Sequence, residues 1–173
     1  KELRDKLGYV PQKGVLFSGT IDSNIRYGKP EITDAQVKEA AEVAQATEFI
    51  DTKPEKYESP VSQGGTNVSG GQKQRLSIAR AIAKDPEIFI FDDSFSALDF
   101  KTDSQLRKAL KEYTKDATTV IVAQRISTIL GADQIIVLDD GHMAGIGTHK
   151  ELMANCEVYQ QIARSQLSEE ELA

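Results

Sequence analysis

Cysteine is nearly absent. Cys156 stands alone among 173 residues, so no disulfide can close within the chain, and a reducing compartment fits. No apolar run approaches the roughly 18 residues a membrane-spanning helix requires, so the piece is expected to be soluble. Basic residues are in the minority, with 21 Lys and Arg against 27 Asp and Glu and a net charge of −6. The clustered Lys and Arg that nucleic-acid binding uses are missing, and no nucleic-acid partner is expected. Residue 1 is Lys, no signal-peptide pattern follows, and neither repeats nor low-complexity tracts occur, so the sequence reads as cut from something longer. What is present, 39% hydrophobic and 28% charged residues, is globular composition sufficient for one domain with a core.

Strand and helix signals alternate along the chain. Residues 7–10 predict a short strand stopped by Pro11, with Gln12 the first residue free to point away. Residues 13–31 are glycine-rich and read as irregular. Thr33 or Asp34 caps a predicted helix to about Ile50, with Val37, Ala40, Ala41, Ala44 and Phe49 on its apolar side. Residues 51–66 read as a loop, and an amphipathic helix over 72–83 stops near Lys84, before Pro86. The runs 88–92 and 119–123 have the composition of buried parallel strands, with a helix over about 101–115 between them. Asp140-Gly141 between 134–138 and 143–146 is a hairpin signal, and Thr148 with Glu151 forms a capping box for a terminal helix. This order predicts an α/β fold with a mainly parallel sheet.

Two segments carry the chemistry. Ser69-Gly70-Gly71 is backbone that an anion can approach closely, since glycine has no Cβ. It opens a helix, beginning at Gln72, whose free amides and dipole favour a phosphate. About twenty positions on, Ile88-Phe89-Ile90-Phe91 ends in Asp92 and Asp93. Ligands of α/β sheets gather at such carboxyl ends, and a carboxylate there suits a magnesium ion. In this order and spacing the two segments resemble the signature and Walker B motifs of ATP-binding cassette (ABC) proteins. Phe17-Ser18-Gly19-Thr20-Ile21, with Asn24-Ile25 after it, is similar to the exporter version of the segment that follows the Q-loop glutamine.

The resemblance implies a partial P-loop NTPase fold over 1–173, with a helical subdomain at 13–83 and a Walker B, D-loop and H-loop core at 84–173. It implies ATP and Mg2+ as cofactors, with Asp92 and Gln12 at the metal and Asp99, within Ser96-Ala97-Leu98-Asp99, in a D-loop at the contact with a second cassette. Ser69, Gly70, Gly71 and Gln72 would complete the nucleotide site of that partner. The partners implied are this second ATPase domain and the transmembrane domain of an exporter of multidrug or lipid type, at the cytoplasmic face of the cell membrane. Two positions depart from the family pattern. Asp93 stands where glutamate is usual, drawing the base back by one methylene. Gln124, in Val122-Ala123-Gln124-Arg125, stands where the H-loop histidine is expected, and an amide at the γ-phosphate carries no proton. Together they resemble the degenerate half of a heterodimeric exporter. His149 and His142 read as a first-turn helix residue and a solvated turn neighbour rather than catalysts.

Two other classes compete with this one. A soluble ABC ATPase of DNA repair or chromosome structure would carry a heptad insertion between residues 13 and 66, where none is found. A non-catalytic remnant that binds partners and no ATP is the third reading, because the sequence contains no Gly-x-x-x-x-Gly-Lys-Ser/Thr. Gly28-Lys29 is a decoy, with Ser23 and Pro30 at the positions that the motif requires to be Gly and Ser or Thr. Calorimetry on residues 1–173 is therefore expected to show very weak Mg-ATP binding, since the amide cradle and lysine that supply most anion contacts are not in it. Micromolar affinity would contradict this.

Overall fold

The fold was analysed in a computed structural model, described here over residues 2–168. A helical turn, α1 (Glu2–Asp5), leads into strand β1 (Leu7–Val10). The stretch expected to be irregular contains β2 (Gly19–Thr20) and a short helix, α2 (Ile21–Ile25), opened by a capping box between Thr20 and Ser23. Next come α3 (Asp34–Val43) and α4 (Thr47–Asp51), then a second short strand, β3 (Pro60–Val61), antiparallel to β2. Helix α5 (Gly70–Ala83), strand β4 (Ile88–Asp92), helix α6 (Phe100–Tyr113) and strand β5 (Thr118–Val122) complete the first compact unit, Lys1–Val122.

One predicted helix is two. The chain does not run helically from Thr33 to Ile50, because Gln45 takes φ +57° and the Ala46 amide reaches back to the Ala41 carbonyl at 2.8 Å. That is a Schellman ending with glutamine, rather than the usual glycine, in the left-handed position.

The sheet of this unit has strand order β1-β4-β5, all parallel, with Tyr9 opposite Ile90 and Ile90 opposite Val120. Because side chains alternate, its two faces differ. Val10, Phe89 and Phe91 are buried in the core with Leu76, Ile78 and Ile82 of α5 and Leu106 and Leu110 of α6, and Ile121 packs against the same cluster. The other face carries Tyr9, Val120 and Val122, which are 56%, 46% and 53% exposed. The expectation of a buried strand at 119–123 is thus corrected: β5 is an edge strand with one face open. Its β-branched residues suit the pleat whether or not anything covers it.

The second unit, Ala123–Ala173, is described by itself. A turn of helix, α7 (Ile126–Ile129), precedes the hairpin of β6 (Ile135–Asp139) and β7 (His142–Gly147). Asp140 and Gly141 both have positive φ, +46° and +76°, as a two-residue type I′ loop requires. Thr148 and Glu151 cap α8 (His149–Asn155), and α9 (Glu157–Gln166) follows; Cys156 is buried between them.

Arg80 of helix α5 anchors the loop after β1. The Arg80 guanidinium donates to the carbonyls of Asn24 (2.8 Å) and Val15 (2.9 Å) and to Oδ1 of Asn24 (2.9 Å), and lies over the stacked rings of Phe17 and Tyr27. Replacing it with alanine removes three hydrogen bonds, two of them to acceptors that Phe17 and Tyr27 amides also reach, and is expected to destabilise the chain by about 3 kcal/mol in urea denaturation. Arg80→Lys keeps the charge but not the planar fork, so it should recover only part of the loss.

Candidate functional site

Parallel pairing brings the carboxyl ends of β1 and β4 side by side, and three of the expected residues meet there. Asp92 is the last residue of β4, and Asp93 follows at φ +44°, its amide held by the Val122 carbonyl at 2.8 Å. Aspartate is among the few non-glycine residues that tolerate the left-handed region, so the short side chain at 93 has a conformational rationale as well as a chemical one. Gln12, exposed just beyond β1, donates from Nε2 to Oδ2 of Asp93 at 3.3 Å. Below them the Ser94 hydroxyl ties the two strands together by donating to the Val10 carbonyl at 2.9 Å.

Sequence reading gave Tyr9 no role beyond its strand. Its hydroxyl donates to Oδ2 of Asp92 at 3.2 Å. Desolvation, followed by the hydrogen bond and charge of Asp92, raises its pKa above 10.0, so the phenol stays a neutral donor at neutral pH. The pleat could have hinted at this contact, since Tyr9 and Asp92 fall on the same face of adjacent strands.

The start of α5 is a second candidate region. Ser69 is its N-cap: Oγ accepts from the Gln72 amide (3.2 Å), and Gln72 Oε1 accepts from the Ser69 amide (3.1 Å). The first turn contains two glycines that the fold does not call for. Neither Gly70 nor Gly71 has positive φ. A Cβ on Gly70 would meet nothing within 4 Å, and one on Gly71 would make only ordinary contact with the Ala97 carbonyl (3.5 Å). Glycine costs roughly 1 kcal/mol against alanine inside a helix, so the bare backbone here has no internal cause. Arg75, another residue that sequence reading missed, braces this turn. It donates to the carbonyls of Gly71 (3.3 Å) and Gln45 (2.7 Å) and covers the Phe49 ring, and burial lowers its pKa.

Asp99 caps α6, accepting from the Thr102 amide at 2.9 Å and the Thr102 hydroxyl at 2.7 Å. Gln124 belongs to the second unit; it is exposed, and its carbonyl accepts from Gln166 Nε2 at 2.9 Å. In the same unit His149 opens α8 with Nδ1 2.8 Å from the Tyr159 hydroxyl, a structural placement. Lys29, of the decoy pair, donates to the Lys84 carbonyl at the end of α5.

The side-chain donors at the end of β1 and β4 are oxygens: two carboxylates and one amide carbonyl. Among the described residues no group of three or more His, Cys, Asp or Glu could hold an ion by itself. That sparse oxygen set fits Mg2+, which binds through one or two carboxylates and keeps waters and phosphate oxygens in its shell.

The family described as ABC transporter matches residues 1–96. An uncharacterized ABC transporter ATP-binding protein of Mycobacterium tuberculosis is 46% identical over 169 residues, covering 96% of this chain and 29% of that protein. A putative multidrug export ATP-binding/permease protein of Staphylococcus aureus is 46% identical over 160 residues, covering 92% of this chain and 28% of the relative. The solved structure of a bacterial Atm1-family ABC exporter with ATP bound superposes with a TM-score of 0.92 at 40% identity, over 96% of this chain and 30% of that one. The chain therefore spans less than a third of the length of these proteins.

The Asp99 cap gives a pH dependence. The backbone hydrogen bond from Thr102, then its hydroxyl, lowers the Asp99 pKa below 3.8, so its contribution is complete above that value and is lost as pH falls through the folded-state pKa. Asp99→Ala should therefore lose less stability than the parent chain between about pH 5 and about pH 2.5, measured by denaturant midpoints across that range.

Proposed function

Since the chain belongs to the ABC transporter family, we propose that it is the part of an exporter's ATPase domain running from the Q-loop to the C-terminal helices. The complete protein would couple ATP binding and hydrolysis to export across the membrane, with a transmembrane domain and a second cassette as partners. Domains of this family bind ATP, generally with Mg2+. The observation that carries the reading is the meeting of Gln12, Asp92 and Asp93 at the carboxyl ends of β1 and β4. Asp92 would hold the metal ion together with the carbonyl of Gln12, and the metal would supply charge neutralisation at the phosphates. Asp93 would accept the proton of the attacking water, with Gln12 Nε2 holding its carboxylate.

The finer reading is that this base serves a slow site. An aspartate reaches one methylene less far than glutamate, and a displacement of about an ångström costs roughly a hundredfold. Gln124, where the family has histidine, supports the same reading by its chemistry, since an amide takes no proton at neutral pH. The turn at Ser69, Gly70, Gly71 and Gln72 would face the nucleotide of the second cassette, which accounts for two glycines that the chain's own packing does not need. The Asp99 segment would lie at that contact. These assignments make the partner's site the competent one and the exporter a heterodimer.

Two substitutions in the full-length heterodimer test the division. Asp93→Asn keeps a residue that tolerates positive φ, so it changes the chemistry with little effect on backbone conformation. It should leave steady-state ATPase and transport nearly unchanged. Gly71→Asp puts a charged side chain where phosphate would approach and should lower both by two orders of magnitude or so, as removal of an electrostatic stabiliser does. If Asp93→Asn abolished turnover while Gly71→Asp spared it, the assignment of slow and competent sites would be reversed.

A further inference from the structure

The carboxylate assigned to the metal is oriented by a residue to which neither the motifs nor the comparisons give a role. Tyr9 sits on β1 opposite Ile90 of β4, so Asp92 lies two residues further along the same face of the neighbouring strand. Diagonal neighbours of this kind are about 7–8 Å apart at Cα, a distance that an aromatic side chain spans. The tyrosine hydroxyl reaches Oδ2 of Asp92 at 3.2 Å. Among the described residues it is the one side-chain donor recorded at that carboxylate; the nearby Ser94 hydroxyl donates to the Asp92 backbone carbonyl instead.

The ring itself contributes little to the fold. Tyr9 is 56% exposed and lies outside both core clusters. Gln12 holds the other carboxylate, Asp93, so Tyr9 within β1 and Gln12 just beyond it supply one donor to each of the two acids. Holding Oδ2 leaves Oδ1 free to face an ion. At 3.2 Å the contact is long for a hydroxyl donor, so its work is orientation rather than strong bonding.

We propose that Tyr9 is a positioning residue for metal binding, fixing the rotamer of the Asp92 carboxylate by a hydrogen bond from the adjacent strand. The proposal rests on the reading of Asp92 as the metal ligand. Hydrogen-bond partners of ligating carboxylates commonly affect metal affinity by 10- to 100-fold, and Tyr9 is expected at the lower end because its bond is long.

The test uses the full-length protein in lipid nanodiscs, with Mn2+ in place of Mg2+ and a non-hydrolysable ATP analogue. Bound Mn2+ is read by electron paramagnetic resonance. Nucleotide binding without metal is read separately in EDTA with a fluorescent analogue. Tyr9→Phe removes only the hydroxyl and should weaken Mn2+ binding about tenfold while leaving metal-free nucleotide binding unchanged. Asp92→Asn should weaken it further, and adding Tyr9→Phe to Asp92→Asn should cost little more, because the phenol then has no carboxylate to hold. Unchanged Mn2+ affinity in Tyr9→Phe, with Asp92→Asn impaired, overturns the role of Tyr9 and leaves that of Asp92 standing. An equal loss of metal-free nucleotide binding in Tyr9→Phe also overturns it, by showing a general structural effect. Asp92→Asn binding Mn2+ like the parent protein removes the metal-site reading and this inference with it.

Discussion

A single guanidinium organises the part of the first unit with the least regular structure. Arg80 projects from α5 onto the segment that runs from β1 through α2, where its three acceptors belong to Val15 and Asn24. Asn24, itself buried, bonds both backbone groups of Phe17 and the Thr20 carbonyl, so the polar network extends along the whole turn. Burial lowers the arginine pKa to about 10, a penalty of about 3 kcal/mol, yet leaves it charged at neutral pH. Three charge-assisted hydrogen bonds, at about 1.5–3 kcal/mol each, outweigh that penalty even before the Phe17 and Tyr27 rings are added. The loop after Gln12 therefore moves with α5 rather than independently of it.

This coupling bears on the site because α5 contributes at both ends. Its N-terminal turn holds Ser69 to Gln72, and its buried side packs with β1 and β4 through Leu76, Ile78 and Ile82. Gln74 of α5 donates to the Pro11 carbonyl at 3.3 Å, immediately before the glutamine that meets Asp93. A displacement of the turn at Ser69 would thus be felt at Gln12 through packed helix and hydrogen bonds, not through flexible chain. The linkage is local and physical, with each contact open to substitution.

The sequence was most legible where a short-range rule suffices. Strand β4, the span of α5, the capping boxes at Ser69 and Thr148 and the Asp140-Gly141 hairpin all follow from neighbours within four residues. The misses have the opposite character. The break at Gln45 uses a left-handed residue without the glycine that would announce it, and α2 sits in a glycine-rich stretch whose composition suggests no helix. Strand β5 looks buried by composition, but whether its open face is covered is a property of tertiary structure that composition does not encode. Within the site, Asp92, Asp93 and Gln12 were readable from motif position. The Tyr9 contact depends on strand register, and the Arg75 brace depends on where the chain turns at Gln45.

Electrostatics decides what such a site could accept. Asp92 and Asp93 stand adjacent at a sheet end in a chain of net charge −6, and the side chains bonded to them, Tyr9 and Gln12, are neutral donors. A bare triphosphate approaching two carboxylates meets like charge at short range, a repulsion that neutral hydrogen bonds do not cancel. A divalent cation reverses the sign of that interaction, because it is the largest local charge and attracts both the acids and the phosphates. The arrangement is therefore suited to a metal–nucleotide complex rather than to a free anion. The turn at Ser69 offers amides and a helix dipole of the opposite sign, which would suit the phosphates of a second nucleotide without a carboxylate beside them.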